Sequence, residues 1–202
     1  MDKWGTLAER SVIEKTMEAL KANGISAYYV ETGADAKKKF LEILPEGAEV
    51  MNNSSTTLLT LGLDKEVNES GRYNSVRNKL MKMDRKAQNR EMQKMGSAPE
   101  WAVGSLHAVT QKGELMWASA SGSQIPGYAN GADHAILVVG TQKIVEDWRE
   151  GFDRIYKHCL PLEDVRAMKV YGAPSSVNKL FVINKDRSGR IHLIFVNEVL
   201  GF

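Results

Sequence analysis

The stretch AILVVGTQK, residues 135–143, decides the fold. Ala135, Ile136, Leu137, Val138 and Val139 are apolar without a break, Gly140 ends the run, and Lys143 follows. A strand with one wet face alternates apolar and polar residues. An unbroken run of this length predicts a central strand covered on both faces, the habit of parallel sheets in α/β proteins. Upstream, Trp101 to Thr110 and Glu114 to Ala120 predict two strands, with Gln111-Lys112-Gly113 as the hairpin turn between them. Downstream, Val145 to Leu160 predicts a helix with Trp148, Phe152, Ile155 and Tyr156 on its apolar side. Leu180 to Asn184 and Ile191 to Val196 predict two closing strands.

The first third alternates in the same way. Ile13, Met17 and Leu20 recur at spacings of four and three, so they mark one face of a helix that Asn23-Gly24 stops. Ser26 to Val30 predicts a strand, Ala34 to Leu44 a helix ended by Pro45, and Ala48 to Met51 a short strand. Asn52 to Leu63 opens on a polar cluster and predicts another helix. The whole alternation predicts one α/β domain over residues 1–202, an open, mostly parallel sheet with helices on both faces. Residues 64–97 are a polar, helix-prone elaboration with no expected part in the core. From Arg72 to Lys94 they carry Arg72, Arg77, Lys79, Lys82, Arg85, Lys86, Arg90 and Lys94 against Asp84 and Glu91. This reads as a solvated hairpin, a subunit contact, or a movable basic cover over an anionic ligand.

Composition excludes several classes. The net charge is +2, which calls for no nucleic-acid or anionic-membrane partner. The lone Cys159 cannot form an internal disulfide or hold a zinc or iron–sulfur centre by itself. The four histidines, His107, His134, His158 and His192, show no HxxxH spacing. No metal and no cofactor is therefore expected. The charged first helix lacks the apolar core of a signal peptide, and no apolar run approaches the roughly 20 residues of a membrane span. A cytoplasmic protein is expected.

Four places can carry chemistry. Asn53, Ser54, Ser55 and Thr56 lie between a strand and a helix, where they cap the helix or hold an anion on its N–H groups. Ser119, Ala120, Ser121, Gly122, Ser123 and Gln124 form a small-residue loop, either a surface turn or a ligand wall. Gly140, Gln142 and Lys143 stand at the expected carboxyl edge of the sheet, where open α/β sheets bind ligands; Lys143 neutralises an anion there or is a solvated residue. Glu198, after the last strand, is a catalytic base or nucleophile, or a solvated end. Cys159 reads as a buried small residue more readily than as a nucleophile, and GxSxG is absent although Gly122-Ser123 invites it.

The segments GSLHAVTQKGELMWASASGSQIPGYANGADHAILVVGTQKIV (104–145), LPLEDVRAMKVYG (160–172), RIHLIFVNEVLGF (190–202) and NNSSTTLLTLGL (52–63) together resemble the LUD (lactate utilization) domain family. The likeness is to its LutC/YkgG-like, cluster-free type and runs from about Met17 onward. It implies a three-layer α/β/α Rossmann-like sandwich of the NagB/RpiA/CoA-transferase kind. It also implies a ligand cleft over the carboxyl ends of the strands, lined by Asn53 to Thr56, Ser121 to Gln124 and Gly140 to Lys143. The implied setting is oxidation of L-lactate beside iron–sulfur subunits. Three functions are compatible with it: binding of a small anionic metabolite, accessory docking to an iron–sulfur oxidoreductase through residues 72–94, or CoA-transferase-like or cyclo-ligase-like catalysis with Glu198. A homo-oligomer is compatible with each.

Overall fold

A computed structural model describes residues 3–202. In chain order its strands are β1 (Ser26–Val30), β2 (Glu49–Asn52), β3 (Asn74–Ser75), β4 (Trp101–Gly104), β5 (Ala108–Thr110), β6 (Leu115–Ser119), β7 (His134–Gly140), β8 (Ile144–Val145), β9 (Lys179–Ile183) and β10 (Ile191–Val196). Its helices are α1 (Arg10–Ala22), α2 (Gly33–Ile43), α3 (Thr56–Thr60), α4 (Leu63–Glu69), α5 (Val76–Met81), α6 (Arg85–Ser97), α7 (Trp148–Arg154) and α8 (Leu160–Tyr171).

The main sheet has six strands in the order β1-β10-β7-β4-β2-β3, and every pair is parallel. β7 lies inside it, and its apolar run divides as a pleated strand requires. Ala135, Leu137 and Val139 enter one core, while Ile136 and Val138 enter the other. α2, α3 and α4 cover the second core through Ala36, Phe40, Leu58, Leu63 and Val67. α1 covers the first through Ile13 and Leu20. Each fully buried Leu, Ile, Val or Phe contributes roughly 1.5–3 kcal/mol of transfer free energy, so these two faces dominate stability. The result is a three-layer α/β/α Rossmann-like sandwich.

A second sheet shares the layer of α1. It has the order β8-β5-β6-β9, with β5/β6 and β6/β9 antiparallel and β5/β8 parallel. Its inner face adds Val109, Leu115, Trp117 and Ile183 to the first core. Its outer face packs Ala108, Met116 and Val145 against Ile155. This sheet corrects three expectations. Residues 101–110 are two strands, because the chain leaves the main sheet after Gly104 and enters the second at Ala108. The strand at Lys179–Ile183 belongs to the second sheet. Val145 is a strand residue, and the helix starts only at Trp148.

The helix after it also differs. It runs on through Leu160-Pro161 to Tyr171, by way of a π-turn at Ile155–Cys159. Pro161 sits in the first turn of α8, where a missing N–H is tolerated. Ile155 is buried, but Trp148 and Tyr156 are exposed, so the apolar side is narrower than expected. The basic segment splits as well. Val67, Tyr73, Ser75 and Val76 are buried, and Asn74-Ser75 forms the edge strand β3, so part of this stretch is core. α6 alone has no buried residue. No described helix is long and apolar enough to cross a membrane.

Candidate functional site

All six strands of the main sheet are parallel, so the segments after them emerge at one edge. Asn53 comes after β2, Ser105 after β4, Thr141 after β7, and Asn197 after β10. Asn53 N–H donates to the Val103 carbonyl at 3.0 Å, holding the first two segments together.

Lys143 is the centre of this edge. A short 3-10 turn at Thr141–Lys143 tucks its side chain inward, and only 2% of the residue is exposed. Its Nζ donates to Thr57 Oγ1 at 3.3 Å, Ser105 Oγ at 3.2 Å and the Leu106 carbonyl at 3.2 Å. All three acceptors are neutral oxygens. Burial pushes the Lys143 amine down to about 7, the Arg154 charge adds to that push, and Cys159 opposes it. Of the two readings of Lys143, the solvated one is excluded: the amine is an interior group bonded to two hydroxyls.

A second cation lies behind it. Arg154, fully buried, donates to the His107 carbonyl and, at 3.0 Å, to Cys159 Sγ. Burial, with the Lys143 and Arg154 charges, pushes His107 down to about 3, so its imidazole is neutral. Nδ1 of that ring accepts from Ala118 N–H at 3.2 Å, which leaves the ring proton on Nε2. Burial raises the Cys159 thiol, against the pull of Arg154 and Lys143. Cys159 is buried, in keeping with its reading as a small interior residue.

The closing residues lie across the edge. Thr57 Oγ1 and Gln142 Nε2 both donate to the Leu200 carbonyl, at 3.2 and 3.0 Å. Glu198 is half-buried, and its carboxylate accepts from Gly33 N–H, at the start of α2, at 2.9 Å. Gly140 admits this crossing. A Cβ there would lie 2.5 Å from the Glu198 carbonyl oxygen and 2.9 Å from Leu200 N.

The remaining expected residues are spread around this centre. Ser55 caps α3, its hydroxyl accepting from Leu58 N–H at 3.3 Å. Thr56 lies beside Gly201: a Cβ on that glycine would lie 2.7 Å from Thr56 Oγ1. Ser54 is exposed and accepts from Arg77 Nη1 at 3.1 Å, which puts one basic side chain at the rim. The loop Ser119–Gln124 leaves β6 of the second sheet. Ser119 Oγ bonds to Gln124 at 3.0 Å and accepts from Gly122 N–H at 2.8 Å, Ser121 pairs with Ser123, and Lys179 reaches the Ala120 carbonyl. These bonds turn the loop on itself and toward β9. Beyond this loop the chain reaches the end of β4 at Tyr128. That ring stacks on Trp117, and its hydroxyl lies where a Gly104 side chain would begin.

Thr57, Ser105 and Arg154 join the site although the sequence pattern does not single them out for it, and Arg77 reaches its rim from the basic segment, one of whose readings is a cover over an anionic ligand. The signal for Ser105 is its place after a strand ending in glycine. Thr57 is hidden one residue beyond the polar cluster. Among the described residues, no group of three or more His, Cys, Asp or Glu side chains could hold a metal ion.

The molecule is thus a parallel α/β/α sandwich whose carboxyl edge is polar and centred on a buried cation. The chain matches the LUD domain over residues 13–196 and belongs to that family. Among solved structures, it is similar to a DUF162 family protein from Deinococcus radiodurans. The TM-score is 0.56 at 10% identity, covering 95% of this chain and 100% of that one. At that identity the likeness bears on the fold alone. No curated protein matches the chain.

Proposed function

We propose that this LUD-domain protein serves the utilization of lactate or a related organic acid, by holding a small carboxylate anion at the carboxyl edge of its main sheet. The observation that carries the reading is Lys143, a buried lysine whose three bonded partners are all neutral oxygens. Lysine is almost never fully buried unless paired, and here a ligand carboxylate supplies the pair. When protonated, Lys143 reaches the edge through the half-buried hydroxyl of Ser105, and Arg77 adds a cation at the rim. Glu198, already holding α2, acts as a positioning group in this reading. Binding of this kind needs no cofactor. The family supports the organic-acid setting, and the chemistry of the edge supports the anion.

Thermal shift and calorimetry with L-lactate, pyruvate, CoA esters, sugar phosphates and nucleotides test it. A carboxylate at a hundred times its dissociation constant stabilises the fold by about 2.7 kcal/mol. Lys143→Met and Arg77→Ala should each weaken that effect. No stabilisation by any of these compounds at millimolar concentration removes the reading.

A second reading is favoured by α6, which has no buried residue and carries Arg85, Lys86, Arg90 and Lys94 against Glu91. In that reading the helix docks on an acidic surface of an iron–sulfur partner subunit. Reversing Arg85, Lys86 and Arg90 should abolish co-purification with such a subunit; unchanged association excludes α6 as the contact.

A further inference from the structure

We infer that Ser105 and Lys143 form a serine–lysine dyad for acyl transfer, with a small ester or thioester of a carboxylic acid as its substrate class. The geometry is that of a nucleophile and its base: Ser105 Oγ and Lys143 Nζ lie 3.2 Å apart. The remaining bonds of Nζ, to Thr57 and to the Leu106 carbonyl, fix the amine without stabilising its charge as an anion would.

The surroundings favour a neutral amine, which is the form a base requires. Burial and Arg154 disfavour its charge, Cys159 is the opposing group, and the neighbouring His107 is itself neutral. Ser105 is the member that a substrate can reach. It is half-buried, whereas Thr57 is fully buried and donates to Leu200. The backbone of Ser105 is pinned, since Trp117 Nε1 donates to its carbonyl at 3.0 Å. The nucleophile thus stands on a rigid strand end, the placement that holds attack geometry.

The step balances. Ser105 Oγ attacks the acyl carbon and its proton passes to Lys143 Nζ. The carbon–oxygen or carbon–sulfur bond to the leaving group breaks, and the leaving group takes that proton from Nζ. Water then attacks the acyl-serine, giving one proton to Nζ that returns to Ser105 Oγ, and the free carboxylic acid departs. The inference rests on the carboxyl edge being the ligand site, and the released carboxylate is the kind of anion proposed to bind there.

p-Nitrophenyl acetate is the probe, with adducts located by mass spectrometry of the intact chain and its peptides. The expected result is one acetyl group on Ser105, formed at a rate that rises with pH through about 7. Ser105→Ala should lose that adduct, and Lys143→Met should form it about a hundredfold more slowly. No adduct on Ser105 at about pH 9, or an unchanged rate in Lys143→Met, overturns the dyad. If Lys143→Met does not fold, the wild-type pH profile against Ser105→Ala decides: a rate on Ser105 that does not change with pH across this window overturns it equally. Calorimetry with L-lactate and pyruvate separates the two proposals. Anion binding without the adduct keeps the ligand site and removes the acyl step, whereas the adduct without anion binding keeps the dyad and removes the anion site.

Discussion

The carboxylate of Glu198 accepts a hydrogen bond from the backbone N–H of Gly33 at 2.9 Å, joining the segment after β10 to the first residue of α2. The first N–H groups of a helix have no partner inside it, and the helix dipole favours negative charge there. Glu198→Ala removes acceptor and charge together, and should lower the unfolding free energy by roughly 1–2 kcal/mol in urea titration. Glu198→Gln keeps an acceptor oxygen and should cost less. Equal losses for the two variants would mean that charge, not the hydrogen bond, is the stabilising part.

Lys143 makes stability depend on pH in a defined direction. Its amine has an ordinary value of 10.5 and is pushed down to about 7 in the fold. Between those values the unfolded chain binds a proton that the folded chain does not. Stability therefore rises as pH goes from about 7 toward 10.5, with a slope approaching roughly 1.4 kcal/mol per pH unit. The test is a comparison with a chain that lacks this amine. The wild type should gain stability relative to Lys143→Met as pH is raised. Parallel profiles for the two chains would show that Lys143 remains charged in the fold.

The parts of this architecture that the sequence announces are those written in local pattern. The run at 135–139 declares burial on both faces, and Gln111-Lys112-Gly113 marks its hairpin, which joins β5 and β6 in the structure. The second sheet is not local. Residues 101–110 read as one strand because both halves are apolar, and only long-range pairing with β7 and β6 separates them. The edge carries the same lesson. Thr57, Ser105 and Lys143 lie far apart in the chain, and lysine by itself reads as a surface residue. What brings them together is the shared direction of β2, β4 and β7, which is a property of the sheet.

Arg190 ties three segments together where β10 begins. It is 2% exposed, and it pairs with Asp186 through Nε at 2.9 and 3.0 Å and through Nη2. It also donates to the carbonyls of Ala132 and Tyr128. Removing one member of a buried pair leaves the other charge uncompensated, so Arg190→Ala should cost about 3–5 kcal/mol. Lys at this position keeps the charge but loses the planar fork, and should recover only part of the loss. Chemical denaturation of the two variants checks this. A loss below about 1 kcal/mol for Arg190→Ala would show that the pair is relieved by water.

Gly140 tests how firmly the closing residues cover the edge. A methyl group there would lie 2.1 Å from Gln142 Oε1, 2.5 Å from the Glu198 carbonyl oxygen and 2.9 Å from Leu200 N. The Gln142 side chain can rotate away, but the other two contacts are backbone, so the segment from Glu198 to Leu200 must move. That shift would break the bonds that Thr57 and Gln142 donate to the Leu200 carbonyl, and would draw Leu200 from the core it shares with Val138 and Val196. Gly140→Ala should therefore destabilise the chain by roughly 1–3 kcal/mol, the usual cost of overpacking. Amide hydrogen exchange should also quicken around Leu200 before it does in β7, because the displaced segment opens locally while the central strand opens only with the whole fold. Exchange that quickens equally in both places would mean that the closing residues are an integral part of the sheet's cooperative unit.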